Sequence, residues 1–224
     1  MRSAPLVTVR VWDLPTRCFH WLLTAAVTGS VVSAWLGGDA MVWHFRLGYT
    51  VFTLLAFRVV WGCIGGHWSR FHRFLYGPAA LYRYLRGASL PGEQHDVGHS
   101  PLGALSVFAL LAVLALQVGT GLVADDEVAN TGPLQPLVSN ATSLSLTHWH
   151  RSAGQWAVIG LVGLHVGAIA YYLLVRRRRL VRPMVFGDKL LDRPAPSTVD
   201  NARTRFIALV VLVACASLVW WVSG

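Results

Sequence analysis

Apolar positions along the chain gather into five long runs separated by polar stretches, covering about 19–37, 44–64, 103–123, 151–175 and 206–222. Each run is near the ~20 residues that a helix rising 1.5 Å per residue needs to cross a bilayer core. The pattern therefore predicts five transmembrane helices. Asp13 can cap the first, and Pro15 suits a first helical turn. That first stretch is too long for a signal peptide, and no A-x-A-like site precedes the second span. Trp35, Trp43, Trp61, Trp68, Trp149, Tyr171, Tyr172 and Trp220 fall near predicted ends, where interfacial aromatics belong.

Between the second and third spans lies a basic loop punctuated by Gly and Pro. Pro78 predicts a short helix to Arg86, with Leu81, Tyr84 and Leu85 forming an apolar face along the membrane surface. Residues 124–147 carry no strong secondary-structure signal. RPAPSTVDNAR reads as a linker into the fifth span. The expected organisation is a domain over 1–190 and a linker with a fifth helix over 191–224. There is no internal repeat at a fixed period.

Composition sharpens the class. Of 224 residues, 54% are hydrophobic and 13% charged, and the mean hydropathy is +0.51. A soluble domain carries about 25% charged residues, so this is an integral membrane protein. A formal net charge of +9 would suit nucleic acid, but the placement of the charges excludes that reading. Lys and Arg number three in residues 1–18, four in 66–100 and nine in 176–205, against none in 38–43 or 124–149. This alternation predicts the N-terminus in the cytoplasm and the C-terminus outside. The arginines of 176–182 read first as the charge that sets topology, and second as a contact for anionic lipid. Cys18, Cys63 and Cys215 form no pairable set and no C-x-x-C-H motif, which argues against a disulfide framework and against covalently attached haem. Walker, GxGxxG, HExxH and GxSxG motifs are absent.

The chemistry then rests on histidines. His67, His72 and His95 lie in the basic loop and read as solvated or headgroup-facing. His20, His44, His150 and His165 lie within or at the ends of spans, where an ionisable side chain is costly and points to function. A single such histidine is best explained by a helix–helix hydrogen bond, but four can be matched in depth. His20 pairs with His165 toward the inner side and His44 with His150 toward the outer. Each pair can clamp one iron between two imidazoles, an arrangement with no open position that suits electron transfer. His150 is about 60° around the helix from His165 and His148 about 100°, so His150 is preferred and His148 is the fallback. Arg58 is the one charge deep in an apolar span. It lies about 40° around the helix from His44 and roughly 21 Å deeper, placed to pair with an inner-haem propionate, with snorkelling toward the inner headgroups as the alternative. Arg17, Arg46 and His99 complete the candidate cofactor-binding set.

VWDLPTRCFHWLL, WHFRLGYTVFTLLAFRVVWGCIGG, RFHRFLYGP, GHSPLGALSVFALLAVLALQVGTGLVADDE and the histidine helix running to LVRPMVFGDK resemble the bacterial di-haem b-type cytochromes. These are the cytochrome b561 and hydrogenase b-subunit-like proteins, and the likeness covers about residues 9–190. It implies an all-α membrane protein in which a four-helix transmembrane bundle holds two non-covalent b haems, with the fifth C-terminal helix outside the matched core. It implies axial ligands at His20, His44, His150 and His165. It further implies electron transfer between the quinone pool and a periplasmic redox partner such as a cytochrome c, or service as the membrane subunit of a hydrogenase or dehydrogenase. Some relatives instead oxidise superoxide and reduce quinone. Here the outer connections carry Asp125, Asp126 and Glu127 and no Lys or Arg, a field that repels superoxide and suits docking of a basic protein.

Overall fold

The structure is a computed structural model and describes residues 6–90 and 92–224. Its elements in chain order are β1 (Val7–Arg10), α1 (Leu14–Leu36), α2 (Met41–Ile64), α3 (Pro78–Leu85), α4 (Pro101–Leu122), α5 (Asn140–Trp149), α6 (Gln155–Leu174), α7 (Val181–Phe186), β2 (Asp188–Leu191) and α8 (Ala202–Ser223). Five helical stretches are long and apolar enough to cross a membrane: Leu14–Leu36, Gly38–Ile64, Pro101–Leu122, Asn140–Leu174 and Ala202–Ser223. The protein is a multi-pass, all-α membrane protein, with one small β-ribbon.

The fourth span differs most from expectation. Residues 124–147 were without signal, yet α5 starts at Asn140 and runs through a π turn, His150–Gly154, into α6. Ser139 caps α5 by accepting from the Thr142 amide at 3.2 Å. The buried face of α5 is made of hydroxyls, which leave no apolar period to read. Fully buried Ser143 donates to the Val123 carbonyl at 2.7 Å. Thr147 donates to the Ser143 carbonyl at 2.8 Å and accepts from the Asp125 amide at 2.9 Å. The short helix after Pro78 is present and ends at Leu85.

Two compact units interleave along the chain. The first comprises Met1–Cys18, Val59–Phe108 and His165–Leu209. In it β1 and β2 pair antiparallel, with Val7 opposite Leu191 and Arg10 opposite Asp188. Val9, Val11, Trp12, Trp68, Val97 and Leu191 form its apolar core. The segment read as a linker is packed here. The Thr198 amide donates to the Arg10 carbonyl at 2.7 Å, and its hydroxyl donates to the Val11 carbonyl at 2.8 Å. Asp200, nearly buried, accepts from Arg10 at 3.0 Å, from the Leu14 amide at 3.2 Å and from Arg205 at 2.8 Å. Burial alone would raise the Asp200 pKa, but Arg205, the Leu14 amide and Arg10 outweigh it and hold the carboxyl below its ordinary value.

Asp13 caps α1 as its position suggests, accepting from the Thr16 amide at 2.7 Å. Its fully buried carboxyl also accepts from the Gly66 amide at 3.0 Å and from the Trp61 indole at 3.3 Å. Gly187 is left-handed (φ 90°), and its carbonyl receives the Val11 and Trp12 amides at 2.9 and 3.1 Å. A Cβ there would meet the Trp12 carbonyl at 2.7 Å, so a side chain is disfavoured twice over.

The second unit comprises Phe19–Arg58, Ala109–Leu164 and Val210–Gly224. Ala26 of α1, Val51 and Leu55 of α2, Leu114 of α4 and Val158 of α6 meet in one buried cluster, the core of a four-helix arrangement. A Cβ on Gly29 would lie 2.8 Å from Leu47, so the missing side chain lets α1 approach α2. Trp35, Trp43, Trp156, Leu164 and Trp220 are exposed, as side chains facing lipid must be.

Candidate functional site

Two of the four span histidines face each other within the second unit. The His44 and His150 ring centroids are 6.0 Å apart and the rings stand at 88°. Each ring is fixed by a backbone carbonyl of a neighbouring helix. His44 Nδ1 is 2.9 Å from the Ser30 carbonyl on α1, and His150 Nδ1 is 2.9 Å from the Gln117 carbonyl on α4. A carbonyl only accepts, so Nδ1 carries the proton in both rings and Nε2 presents a lone pair. Thr120 Oγ1, 3.1 Å from His150 Nδ1, sits beside the same bond.

Local structure places His150. It opens the π turn, whose wider loop disturbs the regular ladder of hydrogen bonds and re-aims the side chains in it. Gln117 answers by donating its amide to the His150 carbonyl at 2.9 Å. A Cβ on Gly154 would run into the Gln117 side chain and Trp149, and one on Gly121 would lie 3.1 Å from His150 Cε1. His148 is exposed and borders a cleft of about 420 Å³ with Asp125, Glu127 and Arg151. His150, and not the fallback His148, is the ring brought to His44.

This pair fits haem. Held by these anchors, His44 and His150 are the residues that would bind the iron of a haem, which would supply one-electron chemistry there. Anchoring the far ring nitrogen on a carbonyl is the usual support for a ligating histidine. Among the described residues no three His, Cys, Asp or Glu side chains gather as a metal site. A profile of the prokaryotic cytochrome b561 family matches residues 11–187. The chain belongs to that family. It is therefore a membrane-bound b-type cytochrome, its haem held without a covalent bond.

Two relatives of this cytochrome b561 family member carry one description, probable Ni/Fe-hydrogenase B-type cytochrome subunit. That of Bradyrhizobium diazoefficiens is 24% identical over 219 aligned residues, covering 84% of this chain and 88% of the relative. Hydrogenase 1's counterpart in Escherichia coli K12 is 24% identical over 199 residues, covering 74% and 83%. No solved structure matches the chain.

The other candidate residues have distinct surroundings. His20, on α1, is half-buried and edge-on to Trp21 at 4.9 Å. His165, on α6, has Nδ1 3.5 Å from Ser106 Oγ on α4. Arg58 is only 4% exposed, with its guanidinium 5.9 Å from the centre of the Phe19 ring, so its side chain does not run out to solvent or headgroups. Arg46 is exposed and lies over Trp43 at 5.2 Å. Arg17 donates to the Val185 carbonyl at 2.7 Å and sits 3.8 Å from Asp200, holding the C-terminal segment of the first unit. His99 lies between Trp12 at 4.7 Å and Phe74 at 4.4 Å. His95 pairs with Glu93 at 3.1 Å.

Ser30, Gln117, Thr120 and Gly121 were not singled out from sequence. Gln117 left a signal, as the one amide in the third apolar run, and QVGTG put Thr120 and Gly121 beside it. Ser30 left none, because its contribution is a carbonyl that any residue carries.

Proposed function

We propose that the protein is a di-haem b-type cytochrome that carries electrons across the bacterial cytoplasmic membrane between quinone and a redox partner. The observation that carries this reading is the facing pair His44 and His150, each anchored through Nδ1. A bis-imidazole haem exchanges single electrons with little change at the iron. The chain's part is to hold both rings neutral and oriented, through Ser30 and Gln117, so that neither ligand moves between redox states.

A second haem between His20 and His165 rests on their matched depth in the sequence. Arg58, buried and cationic, would serve a propionate of that haem. Arg17, Arg46 and His99 remain cofactor-binding candidates on sequence grounds, with Arg17 the weakest because Val185 and Asp200 engage it. Positive charge on alternate connections supports a cytoplasmic N-terminus and an outside C-terminus.

For the partner, relatives described as hydrogenase B-type cytochrome subunits favour a hydrogenase-like redox subunit. The acidic outer run favours a basic periplasmic cytochrome c. Of that run, Asp126 is committed to its own loop, accepting from the Val128, Ala129 and Asn130 amides at 3.0, 3.0 and 2.9 Å. Asp125 and Glu127 are the charges left for docking.

Haem spectra of purified variants test the reading. His44→Ala and His150→Ala should each remove the same haem, and His20→Ala and His165→Ala the other. A wild-type protein without a b-type α band, or four variants that do not sort into these pairs, would sink it. Neutralising Asp125 and Glu127 should slow electron exchange with a basic cytochrome c at low salt. Rates that ignore the change would leave the hydrogenase-type partner standing.

A further inference from the structure

The arginine run after the fourth span does more than set topology. Arg176, Arg177, Arg178, Arg179 and Arg182 are all exposed, and none makes an ion pair among the described residues. The turn folds two of them back. Arg177 is left-handed (φ 53°), and the Arg178 amide donates to the Tyr172 carbonyl at 2.8 Å, a helix-closing turn that usually carries glycine. Arg176 and Arg178 follow Tyr172 by four and six residues. The Tyr172 hydroxyl is 3.3 Å from the hydroxyl of Tyr84 on α3.

Two arginines and two tyrosine hydroxyls thus gather around the last turn of a membrane span. Lys189 extends the positive field. Burial holds its ammonium below the ordinary pKa, an effect that Asp96 opposes and Arg178 strengthens. The carboxylate nearest α3, Glu93, is already taken by Arg83 at 2.9 Å and His95 at 3.1 Å, so nothing acidic is free to neutralise the cluster from that side. Around α3 the apolar side chains Leu75, Tyr82, Leu85 and Leu90 are exposed, and Arg86 lies over the Tyr82 ring at 4.4 Å. A cationic, hydroxyl-lined position beside an exposed apolar helix, at a membrane boundary, has the chemistry of an acidic phospholipid: a phosphate above and acyl chains below.

We propose that Arg176, Arg178, Tyr84 and Tyr172 form a binding site for the phosphate headgroup of an anionic phospholipid, with the apolar residues of α3 against its chains. Arg179 and Arg182 contribute only to the general field. The proposal is independent of haem number and partner.

Native mass spectrometry of the full-length protein, titrated with phosphatidylglycerol or phosphatidylcholine in detergent, tests it. Wild type should retain phosphatidylglycerol over phosphatidylcholine, and R176Q/R178Q should weaken that retention roughly tenfold. R179Q/R182Q removes the same charge and should weaken it by less than about threefold. Tyr84→Phe should weaken it by roughly threefold with no change in net charge. An unaltered haem spectrum shows that each variant is folded. Equal losses from the two arginine pairs would overturn the site in favour of diffuse attraction. Displacement of the lipid by excess inorganic phosphate would overturn the lipid assignment.

Discussion

The two units secure their buried polar groups in opposite ways. In the second, the polar groups that matter are rings hung on backbone: His44 on Ser30 and His150 on Gln117. A helical carbonyl has a second lone pair, so it can take a histidine N–H without giving up its own helix bond. The result is a pair of oriented rings, each tied at Nδ1. In the first unit two carboxyl groups gather donors from distant parts of the chain. Asp13 takes the Thr16 and Gly66 amides and the Trp61 indole, and Asp200 takes Arg10, Arg205 and the Leu14 amide. A ligand site needs rings that are oriented yet uncommitted at one end. A clasp that holds chain segments together needs acceptors that use every lone pair.

The largest effect should come from the clasp. Asp13→Ala strands two amides and an indole in a fully buried place, and we expect a loss of about 3–5 kcal/mol, read by chemical unfolding in detergent. At partial denaturant the haem proposed at His44 and His150 should outlast the first unit. Loss of both together would break the contrast between the units.

Next is the packing behind His150. Gly154→Ala forces a methyl into Gln117 and Trp149, which should destabilise the second unit by about 1–3 kcal/mol and lower occupancy of the haem proposed at His44 and His150. Full occupancy in this variant would show that the π turn does not need its glycine. Gln117→Leu removes the amide that serves the His150 carbonyl and should cost about 1 kcal/mol, seen as a shifted potential of the haem proposed at His44 and His150.

The smallest effect separates the units by pH. Asp200 has a folded pKa below its ordinary value, so its contribution is complete above the ordinary carboxylate range and fades as pH falls through the folded value. Hydrogen exchange of β1 amides should therefore quicken, relative to those of the α4 interior, as pH drops below about 4. Asp200→Asn should abolish this acid dependence. The Glu93 carboxyl, drawn down to about 2 chiefly by Arg83, should follow the same rule further into acid, loosening residues 83–95.

Much of this could be read from the chain. Five apolar runs became five membrane-length helices, since length and composition alone decide whether a segment can satisfy its backbone in lipid. Asp13 and Pro15 marked the start of α1, and Pro78 that of α3. The choice of His44 with His150 followed from depth, and the rings do meet. Other features had no local trace. β1 and β2 are four residues each and lie far apart in sequence, so neither carries a period long enough to notice. The polar tail looked like a linker because its partners, Arg10, Val11 and Leu14, are nearly two hundred positions away. α5 was hidden because Ser143 and Thr147 face inward and bond to backbone.

By itself, the sequence determined that the chain crosses a membrane and about where its apolar runs do so. Those properties depend on local composition and on helical rise, which do not change with the neighbours. Tertiary structure alone decided between His148 and His150, because a π turn shifts the aim of every side chain within it. It alone chose Ser30 and Gln117 as anchors, because a backbone carbonyl has no residue type. It alone made the tail part of the first unit, because a buried carboxyl acts on whatever donors the fold brings within reach.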